Sequence, residues 1–208
     1  MLTMFSRRQM LVAGLALAPA ARAFAATSVE PSLDPVLLRR ALEAFERHRG
    51  VLKHRDYIGI ADFSAPSRRP RFHLLNLADG RSSPFLVAHG RGSDPDHSGW
   101  VERFSNAPGS AASSEGAYLT GDIYQGKHGR SRRLAGLDAE NNNAEVRGIV
   151  VHAAWYVSPA MVHDHGKLGR SEGCFAFSDA DLEPVLEKLG AGRLIYAQKI
   201  ASHSVSRG

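Results

Sequence analysis

The sequence has 208 residues, 43% of them hydrophobic. That is room for one domain with a proper core, and the chain carries no internal repeat, long linker or second hydrophobic span. Its formal charge of +5 is weak evidence for a nucleic-acid partner. Three of the arginines, Arg7, Arg8 and Arg22, lie in a leader with no acidic residue, and removing it leaves a net charge of only +2.

That leader, residues 1–25, reads as an export signal. Ser6-Arg7-Arg8-Gln9-Met10-Leu11 is a twin-arginine n-region, and the apolar run from Met10 to Ala21 is too short for a stable membrane span. Ala21-Arg22-Ala23 and Ala23-Phe24-Ala25 both fit small-residue cleavage. The expected location is the periplasm, with no membrane span after cleavage.

An N-terminal helical segment is expected over 26–56. Asp34 caps a helix that Pro35 begins, and Leu38, Ala41, Leu42 and Phe45 give it an apolar face. The period then changes, and 57–202 reads as a single catalytic domain. Strands are expected at 57–63, 71–77 and 84–89, with Asp79-Gly80 as a turn. Residues 90–115 read as a long irregular loop, a feature that is usually functional in a compact domain. Further strands are expected at 117–120, 131–137, 147–153 and 192–199. A short helix is expected over 158–165. Ser178-Asp179-Ala180-Asp181 is a capping box opening a helix to about Leu189. The fold class is mainly β with peripheral helices.

Cys174 is the only cysteine. In an exported chain it has no intrachain partner, so it is either a buried filler or a reactive thiol. A thiol of ordinary pKa is only slightly ionised at neutral pH, and a neighbouring imidazole can take its proton. His152, at the end of the apolar strand containing Ile149-Val150-Val151, is the best candidate base. Gly173 permits close backbone approach, and the amides around Gly173 and Cys174 suit an oxyanion. Ser171 is expected to orient the imidazole. Together these residues favour acyl transfer through a thioester. No cofactor is implied. Nor is a metal: His89 and Asp94 stand one residue too far apart for the zinc-peptidase pattern, no His-Glu-x-x-His or Cys-x-x-Cys occurs, and His163 and His165 read as surface residues.

His152 with Ser171-Glu172-Gly173-Cys174 resembles the His…Ser-x-Gly-Cys signature of bacterial L,D-transpeptidases. Four longer segments resemble the divergent branch of murein L,D-transpeptidase catalytic-domain proteins. They are 88–93 (AHGRGS), 104–110 (FSNAPGS), 124–129 (YQGKHG) and 168–174 (LGRSEGC). The resemblance covers about residues 84–199. It implies a β-sandwich or barrel-like fold and a peptidoglycan stem peptide as substrate. Cys174 would attack the carbonyl before the terminal D-alanine, with His152 as base and Ser171 its partner, and a stem amine would complete a 3→3 cross-link. Glu172 stands where that family commonly has histidine, and Phe175-Ala176 replaces an aliphatic-polar pair. The acceptor therefore stays open: water would make the protein a carboxypeptidase or amidase. A non-catalytic wall-binding protein of the same fold is a second reading, and a zinc hydrolase a third. Because the donor stem carries carboxylates, Arg170 is a candidate to grip one or to brace its own loop. Tyr118, Asn106 and Ser110 are candidates for polar substrate contacts.

Overall fold

The computed structural model describes residues 33–200. The expected export signal lies outside the described residues. Within them, no helix is long and apolar enough to cross a membrane. The described residues fold as one domain of eight strands and three α-helices, mainly β as the sequence implies.

Helix α1 spans Pro35–Arg47. The Asp34 carboxylate accepts from the Val36 and Leu37 amides, satisfying two donors that the first helical turn leaves open. Its buried stripe, Leu37, Ala41, Ala44 and Phe45, packs on Ile58, Ile60, Ala117, Leu194 and Tyr196. Full burial of each large member of this stripe is worth about 1.5–3 kcal/mol.

The strands are β1 (Tyr57–Asp62), β2 (Phe72–Asn76), β3 (Ser82–Phe85), β4 (Gly116–Gly126), β5 (Gly129–Gly136), β6 (Val150–Ala153), β7 (Phe175–Phe177) and β8 (Leu194–Gln198). They form one sheet in the order β3-β2-β1-β8-β4-β5-β6-β7. Side chains alternate between its faces. Leu194 and Tyr196 face α1, while Ile195 and Ala197 join the main core with Tyr118, Phe175 and Phe177. Just beyond β3 the chain reaches the far edge, where Ala88 bridges Ala176 of β7 and its amide donates to the Ala176 carbonyl at 3.0 Å. Phe72 of β2 meets Phe177 of β7 edge-on, ring centres 4.8 Å apart. The sheet is thus rolled up until its two edges are joined.

Two further helices, α2 (Pro159–His165) and α3 (Asp179–Lys188), flank β7 in sequence. Ser178 and Asp181 form the expected capping box: the Ser178 hydroxyl donates to the Asp181 carboxylate at 2.7 Å and accepts from its amide at 3.1 Å. Four strands differ from expectation. Strand β3 ends at Phe85, and beyond it only the Ala88 bridge continues the ladder. Strands β4 and β5 run through the polar stretch to the Gly126–Gly129 turn, because a two-stranded arm needs no buried face there. Strand β7 has only three residues, all buried, too few to show a period in the sequence.

Candidate active site

Strands β6 and β7 are parallel, with Val151 opposite Phe175 and His152 opposite Ala176. Cys174 immediately precedes β7. The period of two therefore sets Cys174 and His152 on the same face of the sheet, one diagonal step apart. The crossover through α2 makes this arrangement possible: it carries the chain from the end of β6 back to the start of a parallel neighbour. Both side chains line one cavity of about 580 Å³, together with Tyr124, Lys127, His128, Arg147, Tyr156 and Glu172.

The imidazole of His152 is buried, and its Nδ1 lies 2.7 Å from the Ala153 carbonyl. A carbonyl only accepts, so Nδ1 carries the proton and the lone pair of the neutral ring sits on Nε2. Burial is the main reason that the ring's pKa falls to about 4; the Ala153 carbonyl opposes that, while His128 and Lys127 add to it. Burial likewise pushes the Cys174 thiol up, against the Val150 amide and the charges of Lys127 and Arg147. The Cys174 sulfur contacts the Gly148 carbonyl at 3.6 Å. With the imidazole lowered and the thiol raised, burial favours neutral thiol and neutral imidazole over an ion pair.

The loop before Cys174 has little freedom. The Ser171 hydroxyl donates to the Cys174 carbonyl at 2.8 Å and accepts from the Gly173 amide at 3.1 Å. The expectation that Ser171 orients the imidazole does not hold in this geometry: Ala153 orients His152, and Ser171 shapes the turn that carries the thiol. Gly173 has φ +112°, and a Cβ there would lie 2.5 Å from the Ala112 carbonyl oxygen. Glycine is demanded by backbone conformation and crowding. Its amide, engaged by Ser171, is not a free oxyanion donor.

Of the residues considered for substrate contact, Arg170 alone lines the cavity. It also donates to the Asp94 and Pro95 carbonyls, so it braces the loop. Tyr118 is fully buried in the core and donates to the Ser114 carbonyl at 2.8 Å, out of reach of the cavity. Asn106 ties two loops together by donating to the Ala139 carbonyl and the Asn142 side chain. The Ser110 hydroxyl accepts from the Ala112 amide at 3.4 Å within its own turn. Neither Asn106 nor Ser110 lines the cavity. The residues the sequence reading missed are Arg147, Lys127 and His128. Arg147 donates to the Ser105 and Ala112 carbonyls and to the Ser114 hydroxyl while facing the cavity. Lys127 and His128 sit inside a segment that the reading singled out, YQGKHG, but a turn between two strands gave no sign of which site it overhangs.

A second histidine site lies behind this loop. Arg71, fully buried, donates to the Val87 carbonyl from two nitrogens, to the Ala65 carbonyl, and to Nδ1 of His89 at 2.7 Å. His89 must then carry its proton on Nε2, which donates to Asp94 at 3.1 Å. Asp94 also accepts from the Ser98 and Gly99 amides. The backbone of His89 accepts from the Ser171 amide, and the Ser171 carbonyl accepts from Arg91. The network therefore underpins the loop that carries Cys174. Both His89 nitrogens are engaged, leaving none for a metal. His163 is exposed beside Asp164 on α2. Among the described residues, no three metal-ligating side chains of the His, Cys, Asp and Glu type converge.

A rolled mixed sheet thus brings a cysteine, just before one strand, and a histidine, on the parallel neighbour, to one cavity. The chain belongs to the L,D-transpeptidase catalytic domain family, which it matches over residues 29–198. Similar solved structures include an L,D-transpeptidase from Mycobacterium smegmatis, 15% identical with a TM-score of 0.42, covering 69% of this chain and 58% of that one. An L,D-transpeptidase from Mycobacterium tuberculosis H37Rv is 18% identical, TM-score 0.40, covering 69% and 57%. L,D-transpeptidase 3 from Mycobacterium tuberculosis, in complex with a faropenem-derived adduct, is 15% identical, TM-score 0.44, covering 69% and 60%. The chain spans less than two thirds of the length of each of these three. No curated protein matches it.

Proposed function

We propose that this protein is a cysteine acyltransferase acting on peptidoglycan stem tetrapeptides. The observation that carries the reading is the placement of Cys174 and His152 on one face of β6–β7, lining a single cavity, within a member of the L,D-transpeptidase catalytic domain family. Nε2 of His152 takes the thiol proton as Cys174 sulfur bonds to the carbonyl carbon preceding the terminal D-alanine. The Cys174 amide stabilises the oxyanion, since the Gly173 amide is engaged. The C–N bond then breaks, and the imidazolium returns its proton to the departing D-alanine amine. An acceptor amine attacks the resulting thioester, loses its proton to His152, and frees the thiol as a 3→3 cross-link forms. Lys127 and Arg147 supply the positive charge that a stem carboxylate seeks.

Purified protein incubated with tetrapeptide muropeptides should release D-alanine and give 3→3 dimers by mass spectrometry. Cys174→Ala should lose both by about 10⁴-fold or more. Release of D-alanine without dimers would reassign the acceptor to water. Sacculus binding without any release, unchanged by Cys174→Ala, would replace the enzyme reading with a wall-binding one.

The twin-arginine leader supports a periplasmic location. Fractionation should find the processed chain in the periplasm; an unprocessed cytosolic chain would overturn this.

A further inference from the structure

The turn between β4 and β5 carries His128, whose ring lies almost parallel to that of His152, centres 4.2 Å apart and planes 19° apart. His128 is exposed at the cavity and His152 is buried beneath it. The Ala153 carbonyl fixes one ring nitrogen of His152, yet a single hydrogen bond leaves the ring free to swing about it. A flat ring laid on its face removes that second freedom and keeps water from that face.

We propose that His128 is a positioning residue for His152: the β4–β5 turn lays one imidazole on the other, so that the base is held in one orientation and shielded from solvent. The proposal rests on the reading of His152 as the base for Cys174. The turn is well placed for this role. The Gly126–Gly129 pairing closes it tightly, and its arm joins the site's own strand through β5 and β6 pairing at Arg132–Val151 and Arg133–Val150. The charged and titratable groups around the stacked pair are Lys127 on the same turn, Tyr124 on β4, Arg147 before β6, Tyr156 after it, and Arg170, Glu172 and Cys174 on the nucleophile loop. Lys127 and the burial of the pair both oppose protonation of His128, and Glu172 favours it. Two imidazolium rings at this separation repel, so the stack holds His152 in the neutral form that can accept a proton.

The test follows the His152 ring by NMR titration and Cys174 by alkylation with iodoacetamide across pH; neither requires wall chemistry. In His128→Ala the His152 ring loses its cover, so its midpoint should rise toward the ordinary histidine value by at least about half a pH unit. The acid limb of Cys174 alkylation should rise with it. His128→Phe keeps a flat ring without a charge and should restore most of the lowered midpoint. An unchanged His152 midpoint and alkylation profile in a folded His128→Ala protein would overturn the proposal, as would a His128→Phe protein that behaves like His128→Ala. Failure of the acyltransferase reading would show differently, as normal titration behaviour with no D-alanine release.

Discussion

Two of the buried histidines, His89 and His152, flank the loop that carries Cys174, and they differ in what surrounds them. His89 spends both nitrogens, one on Arg71 and one on Asp94, and has no solvent-exposed surface. His152 spends one nitrogen on a carbonyl and keeps the other on a cavity shared with a thiol. Burial lowers both pKa values, to about 3 for His89 and about 4 for His152. Burial alone therefore does not separate a bracing histidine from one with a nitrogen left for chemistry. What separates them is an uncommitted lone pair facing space that a substrate can enter.

That contrast is open to direct attack. His152→Gln should cost about 10²–10⁴ in D-alanine release while leaving the melting temperature within a few degrees, because an amide can replace the bond to Ala153. His89→Ala should do the reverse. It removes one hydrogen bond each from buried Arg71 and Asp94 and leaves a cavity between them, which costs about 3 kcal/mol of stability by denaturant unfolding. Activity per folded molecule should fall far less than in His152→Gln. If the two variants behave alike, the distinction between bracing and working histidine fails.

The pH dependence of stability sharpens the same comparison. Both rings bind protons less readily when folded than the ordinary value of 6.5, so the unfolded chain takes up protons first as the pH falls. Their contribution is complete above about 6.5. It is lost downward, to about pH 4 for His152 and about pH 3 for His89. Thermal melts should show stability declining from about pH 6.5 to 4, with a shallower decline in His152→Gln. The smallest expected effect concerns Glu172, whose carboxylate raises the thiol and pairs with Arg91 at 2.9 Å on the surface. Glu172→Gln should speed Cys174 alkylation at neutral pH about two- to threefold, with a stability change below about 1 kcal/mol.

Much of the fold was legible because it rests on local signals. Asp34-Pro35 and Ser178…Asp181 mark helix starts through side-chain bonds to amides two or three residues on, and the structure makes those bonds. That Cys174 and His152 share a cavity was legible from one thiol and a histidine closing the apolar strand Ile149-Val150-Val151. The polar contacts were not. Tyr118, Asn106 and Ser110 belong to matched or adjacent segments, but segment identity says nothing about which way a side chain points, and here they face the core or neighbouring loops. Arg147 and His128 were overlooked for the converse reason: they reach the cavity only through strand pairings and loop packing that no short window of sequence displays.

The joining of the sheet's two edges has a consequence for how the protein comes to be folded. The loop bearing Cys174 is held by Ala88 and Gly90 on one side and by β6 on the other, and the sheet's middle needs Ile58 beside Leu194. These pairings are distant in sequence, and such contacts form slowly because loop closure must precede any reward. The environment of Cys174 is thus expected to assemble late. Until it does, the thiol lacks both its burial and its base, and it behaves as an ordinary cysteine open to oxidation. A chain interrupted before the final strand would carry Cys174 and His152 without the strand that joins β1 to β4 in the sheet around them.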